Sequence, residues 1–348
     1  MIPLEKTNVA VQGIMTMHVT IKDIAKTAGV SYSTVSKALN NSPLVKENTK
    51  RKIVQIAEEM GYEPNYAAQR LVSKNAKIIG LIWPTIERTV LSTLVSKISD
   101  EMSKTPYSMI LSVDPLQKSM ETFKKFQVDG IILFEENIHL DIKPNSTPFI
   151  SYGVSGRNNN LYPIIDPNHE KAMNEAVNYL SGLGHTDILY IGNVSSIDPF
   201  QMEKYLGFKK AMEKHGLPID DSHIIDTGGL DWYDGYVTVK NVLQSDSLPT
   251  AIVGGSYDIS GGIIRCLKEN NISIPKDISV ISYDNIPQMA NMEIPLTCIG
   301  VRIEELAASI VESIIQLVEQ KHLGWQTKRM TPTLTERESC AYKGIDPA

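Results

Sequence analysis

The sequence predicts an α/β protein in which a head of three short helices, built around a helix-turn-helix, precedes a long body of two doubly wound lobes. Three observations carry that prediction. From Thr20 to Met60, apolar residues recur at helical spacing in three short runs separated by turn signals. Beyond about Ile78, short apolar runs alternate with amphipathic helical patterns, as in parallel sheets covered by helices. That alternation begins twice, and 348 residues exceed what one core ordinarily organises, so two to three domains are expected.

In the head, Thr20 can cap a first helix with Asp23 answering from its first turn, and Ile21, Ile24, Ala25 and Ala28 form one apolar stripe. Gly29 supplies a left-handed turn, Val30 plugs the small core, and Ser31 caps a second helix running from Tyr32 to Leu39. Val35 and Leu39 point inward. Tyr32, Ser33 and Lys37 therefore share the outer face, near the N-terminal end, where a recognition helix offers side chains to base edges in the major groove. A third helix, from about Glu47 to Met60, brings Ile53, Val54, Ile56, Ala57 and Met60 to close the core, with Lys46, Lys50, Arg51 and Lys52 near its start. Two helices around a glycine turn can also simply pack.

Charge separates those readings. Met17 to Lys77 holds ten Lys and Arg against five Asp and Glu, a net +5, whereas the whole chain is at −6, which leaves −11 for Ile78 to Ala348. A basic head on an acidic body is the asymmetry expected when one end neutralises phosphates and the other stays off them.

Along the body, Ile78 to Trp83, Met109 to Val113, Gly130 to Phe134 and Phe149 to Tyr152 read as buried strands, with a helical stripe from Val90 to Met102 between the first two. The second series comprises helices over Asn174 to Leu183, Gly207 to His215 and Gly262 to Glu269, and strands over Ile188 to Ile191, Ala251 to Gly254 and Val280 to Tyr283. Ligands in such sheets bind beyond the carboxyl ends of the strands, so a cleft between the lobes is the expected site.

Enzyme signatures are missing: the glycine pairs at Gly228, Gly254 and Gly261 lack phosphate-loop and dinucleotide spacing, and no G-x-S-x-G occurs. No catalytic residue is assigned, and no cofactor is expected. Seven histidines form no H-x-x-x-H pair, and Cys266, Cys298 and Cys340 form no C-x-x-C, so no metal site is expected either. Scattered cysteines suit a reducing cytosol. No apolar run reaches the roughly 20 residues of a membrane span, and the opening sixteen residues lack a signal-peptide core, so the expected location is cytoplasmic, with no membrane partner.

Thr20-Ile21-Lys22-Asp23-Ile24-Ala25, Ala28-Gly29-Val30-Ser31, Thr34-Val35-Ser36, Leu39-Asn40, Gly61-Tyr62 and Pro64-Asn65 resemble, at its usual spacing, the DNA-binding head of the lactose-repressor (LacI/GalR-type) family of bacterial transcription regulators. Val128-Asp129-Gly130, Leu183-Gly184-His185, Pro249-Thr250-Ala251, Ile274-Pro275-Lys276-Asp277 and Pro295-Leu296-Thr297 resemble its effector-binding body, so the resemblance runs from Val19 to Ser339.

The resemblance implies a helix-turn-helix head with a hinge helix, then two lobes of periplasmic-binding-protein type. On that scheme residues 1–16 are a disordered extension, 17–63 the head, 64–76 the hinge helix and linker, and 77–348 the body. Its first lobe takes in about 77–166 and 301–330, its second about 167–298 and 331–343. Tyr32, Ser33 and Lys37 fall where the family reads bases; Lys37 replaces the commoner arginine and discriminates less sharply for want of a rigid fork. Ser31, Thr34, Asn40 and Lys50 would support them on phosphate. Asn65, Ala68 and Leu71 fall in the minor-groove hinge, where Leu71 would wedge between base steps; the other reading makes it a linker residue. Lys46 stands where many relatives cap the third helix with serine.

In the cleft, Asp284 matches the carboxylate that receives ligand hydroxyls in sugar-responsive members, with strand-end turn capping as the plainer role. Lys204 stands in for a ligand-binding arginine. The family's stacking aromatic falls at Leu230, so either Trp232 takes over the stacking or it is ordinary packing. The implied partners are double-stranded DNA with a near-palindromic operator, a small polar effector of sugar type, and a second copy in a homodimer. A sugar-binding receptor of the same fold, or control by a protein corepressor, is the alternative.

Overall fold

A computed structural model describes residues 19–39, 41–62, 76–135, 147–155, 162–245, 248–320 and 322–343. The expectations for the N-terminal extension, Asn40 and the hinge residues Asn65, Ala68 and Leu71 lie outside these. The chain divides into two compact units, Met1–Lys74 and Asn75–Ala348.

In the first unit, α1 (Ile21–Ala28), α2 (Tyr32–Leu39) and α3 (Glu47–Glu59) enclose Ile24, Ala25, Ala28, Val35, Ala38, Val45, Ile53 and Ala57. Asp23 accepts hydrogen bonds from the Thr20 backbone N–H at 2.9 Å and hydroxyl at 2.7 Å, which fixes the start of α1 and holds the Asp23 carboxyl below its ordinary range. Gly29 ends α1 at φ +68°, a conformation in which a Cβ would be strained. Two core assignments shift. Ala38 is fully buried while Leu39 is only partly so, and Val54 is 37 % exposed, because it falls outside the stripe set by Ile53 and Ala57. Lys46 precedes α3 without a side-chain capping bond.

The second unit holds two six-stranded sheets. The first series runs β1 (Ile78–Ile82), α4 (Thr89–Met102), β2 (Ser108–Ser112), α5 (Leu116–Phe126), β3 (Gly130–Phe134), β4 (Phe149–Tyr152) and β5 (Ile164–Asp166). The second follows as α6 (His169–Gly182), β6 (Ile188–Gly192), α7 (Pro199–Lys214), β7 (Ile224–Asp226), α8 (Trp232–Val242), β8 (Ala251–Gly254), α9 (Tyr257–Glu269), β9 (Ser279–Asn285) and β10 (Thr297–Arg302). The chain then returns to the first lobe through α10 (Ile303–Gln320) and β11 (Thr327–Arg329), and ends in the second with β12 (Thr333–Thr335).

Sheet orders are β11-β5-β4-β3-β1-β2 and β12-β10-β9-β8-β6-β7, and every described pairing is parallel except β10 with β12. Helices cover these sheets, so β3 and β6 are buried throughout and show no alternation. Three helices begin earlier than their apolar stripes. Asp198 caps α7 by accepting from the Phe200 N–H at 2.9 Å, Ser256 caps α9, and α6 starts at His169. α8 and α9 approach unusually closely: a Cβ on Gly262 would lie 1.9 Å from the Trp232 carbonyl oxygen, and one on Gly235 2.3 Å from that of Ile259.

Candidate functional site

On α2, the residues that face in and those that face out separate cleanly. Val35 and Ala38 are buried, whereas Tyr32, Ser33 and Lys37 are exposed, Tyr32 by half its surface. Ser31 sits before the helix with its Oγ accepting from the Thr34 N–H at 3.1 Å and lying 2.9 Å from the Ser33 Oγ and 2.8 Å from the Thr34 Oγ1. The first turn thus presents a row of hydroxyls with the free N–H groups of a helix start, an arrangement suited to phosphate. Lys50 is placed differently. Its ammonium donates to Asn41 Oδ1 at 2.6 Å and lies 3.5 Å from Glu47, which the exposed Arg51 also approaches at 3.8 Å, and Lys52 on the same helix is exposed.

In the body, the carboxyl ends of the strands meet across an aromatic layer. Trp83, Phe134 and Tyr152, at the ends of β1, β3 and β4, come from the first lobe; Phe200, His169 and Tyr283 come from the second. Phe134 stacks on Phe200 with centroids 4.9 Å apart, and Trp83 meets Phe134 edge-on at 4.9 Å. Polar bonds join the same faces. Thr89 at the start of α4 donates through its hydroxyl to Asp258 Oδ1 at 2.7 Å and through its N–H to Oδ2 at 3.3 Å, and Gln288 donates to the Thr93 hydroxyl at 2.9 Å.

Asp284 follows Tyr283 at φ +84°, a conformation costly for a residue with a side chain, on the order of 1–3 kcal/mol, and found where the surroundings over-determine it. Its Oδ2 accepts from the Tyr257 N–H at 2.9 Å, so the carboxylate sits at the N-terminus of α9. Burial pushes its pKa up to about 6 against the pull of the Lys204 ammonium and that N–H. Lys204 is buried, donates to the Gly255 carbonyl at 2.8 Å and lies over the Tyr283 ring at 4.7 Å. Structure therefore brings Asp284 and Lys204 to one wall.

Trp232 keeps other company. It is 54 % exposed beside Tyr233 and Tyr236, and with Tyr236, Arg265 and Glu269 it lines an open pocket of about 450 Å³. Leu230 packs into the core. Among the described residues no group of three His, Cys, Asp or Glu could hold a metal, and no helix is long and apolar enough to cross a membrane.

Residues 20–65 match the model of bacterial regulatory proteins of the lacI family, and residues 177–340 match that of the periplasmic binding protein-like domain. The chain pairs a lacI-family DNA-binding head with a periplasmic-binding-like body. Catabolite control protein A of Priestia megaterium is 29 % identical to this chain over 333 residues, 90 % of the chain and 100 % of the relative. The lac repressor dimer bound to operator and an anti-inducer superimposes with TM-score 0.78 at 23 % identity, over 93 % of this chain and 99 % of that one. A lacI-family transcriptional regulator from Enterococcus faecium with bound ribose gives 0.67 at 25 % identity, over 76 % and 99 %. The protein is a DNA-binding transcriptional regulator with an effector-binding body.

Several residues of the cleft were not singled out from the sequence. Trp83, Phe134 and Tyr152 each end an apolar run, so the strand-end rule alone could have marked them. Asp258 had a signal too, since it stands four residues past the end of β8. His169 and Tyr190 gave none, because nothing in their flanks separates a cleft residue from a core one.

Proposed function

We propose that the chain is a repressor that grips a near-palindromic operator as a homodimer and is controlled by a hydroxyl-rich effector held between its lobes. The observation that carries the DNA half is the exposure of Tyr32, Ser33 and Lys37 on α2 while Val35 and Ala38 are buried. Two heads related by a twofold axis need equivalent half-sites roughly 10 base pairs apart centre to centre. Ser31, Thr34 and Asn40 support the base readers on phosphate, with Lys50 adding field from the position where Asn41 and Glu47 hold it. Asn65, Ala68 and Leu71 enter the minor groove as the hinge. Selection of bound sequences should return inverted repeats, and Lys37→Ala should cost about 1–3 kcal/mol at one base pair. Direct repeats alone, or equal losses on specific and random DNA, would overturn this reading.

Asp284 and Lys204 form the effector pair, and Trp232 stands in the open pocket it shares with Tyr236, Arg265 and Glu269. A carboxylate over-determined in a strained backbone, beside a buried cation and an aromatic layer, suits ligand hydroxyls and the apolar face of a sugar ring. The ribose bound by the E. faecium regulator supports the same class. Asp284→Asn should abolish the effector's influence on operator binding; an unchanged response would return Asp284 to turn structure.

A further inference from the structure

His169 opens α6 beside the cleft, 2 % exposed, and neither ring nitrogen has a partner among the described residues. Its ring is fixed from two sides, 5.3 Å from Phe200 and 5.1 Å from Tyr283, the residues that respectively face the first lobe and precede Asp284. Burial and the neighbouring Lys204 ammonium hold the imidazole pKa well below its ordinary value, and so keep the ring neutral. A neutral imidazole offers one N–H donor and one acceptor lone pair. Buried polar atoms ordinarily find partners, so two on one ring at a ligand cleft point to a ligand.

The surroundings define that ligand further. The Tyr190 hydroxyl is buried and also unpartnered among the described residues, beside Gly192 and Gly255, and Gly255 carries the carbonyl that Lys204 holds. The cations near this wall already face carboxylates: Lys204 and Arg88 act on Asp284, Arg88 also on Asp258, and Arg329 lies 3.3 Å from Asp166. An added anion would compete with carboxylates already facing these cations, whereas hydroxyl groups, each donor and acceptor at once, match an imidazole and a phenol.

We propose that His169 is a ligand-contacting residue of the cleft, reading adjacent hydroxyls through one donating and one accepting nitrogen and selecting an uncharged polyol over its phosphate or acid. This rests on the cleft being the effector site. The test uses the full chain and a thermal-shift and calorimetric panel of ribose, glucose, galactose and cellobiose, with ribose 5-phosphate, glucose 6-phosphate and galacturonate as charged counterparts. At least one uncharged sugar should bind ten-fold or more tightly than the charged set. His169→Phe keeps a ring between Phe200 and Tyr283 and should weaken that sugar at least ten-fold; His169→Gln, which restores a donor and an acceptor, should recover part of it.

Tighter binding of a charged counterpart, or a panel that binds nothing, overturns the ligand class. Should Asp284→Asn weaken the sugar while His169→Phe binds it as the parent does, His169 fails and the cleft stands. Should neither substitution affect a sugar that binds, the cleft reading itself falls.

Discussion

Glu203, one residue before Lys204 on α7, gives a test of electrostatics in the body that does not depend on the ligand. Its Oε2 is buried with no partner among the described residues. Burial first, and then the Asp166 carboxylate, push its pKa from an ordinary 4.5 up to about 7, with Arg329 pulling the other way. The folded body therefore holds a proton that the unfolded chain releases near pH 4.5. The stability this contributes is fully present below pH 4.5 and is lost as pH rises through about 7. A shift of that size corresponds to about 3 kcal/mol at full burial, and partial exposure reduces it to about 1–2 kcal/mol. Glu203→Gln cannot titrate. Urea unfolding followed by tryptophan fluorescence should thus show parent and variant close at pH 4.5 and the variant favoured by about 1–2 kcal/mol at pH 8. A difference that stays constant across that range would refute the reasoning.

Asp284 must be ionised to accept hydroxyls at full strength, so effector affinity should rise as pH passes about 6 and level off above it, and calorimetry in Asp284→Asn should give a flat profile. Thr89→Val keeps the side-chain volume but removes the hydroxyl bond to Asp258, about 1.5–3 kcal/mol for a bond to a charged acceptor. Small-angle scattering of the effector-free protein should then show a larger radius of gyration; an unchanged radius would mean that packing alone keeps the lobes together. Gly262→Ala puts a methyl group against the Trp232 carbonyl and should lower stability by about 1–3 kcal/mol or more, read as a fall in melting temperature. Normal melting there would show that α8 and α9 can part without penalty.

Periodicity was enough for β1 to β4, β6, β8 and β9, because a strand covered on both faces is a continuous apolar run that little else resembles, but not for β10 or for β5, β7, β11 and β12, which are only three residues long each. Helix starts were harder. α7 and α9 begin well before their apolar stripes because Asp198 and Ser256 cap them, and a capped first turn facing a cleft carries polar residues where a stripe would be apolar. α5 and α8 went unread for the related reason that charged or aromatic residues interrupt their stripes. Within the site, Asp284 and Lys204 were legible only through family resemblance. His169 and the contacts of Asp258 depend on which elements face each other across the lobes, and that pairing is set by topology at long range rather than by any local pattern.

Three chain crossings join the lobes: between β5 and α6, between β10 and α10, and between β11 and β12. Two of them are tied together, since Arg329 at the end of β11 lies 3.3 Å from the Asp166 carboxylate at the end of β5, and its guanidinium also donates to the Ser155 hydroxyl at 2.7 Å. A single crossing would act as a swivel, free to turn and tilt. Three side by side, two of them pinned, resist twisting and sliding and leave bending about one line as the soft motion. Whatever work a ligand does in the cleft is then delivered as one angle, identical in sense every time, which is what a lever needs in order to move a distant part in a fixed direction.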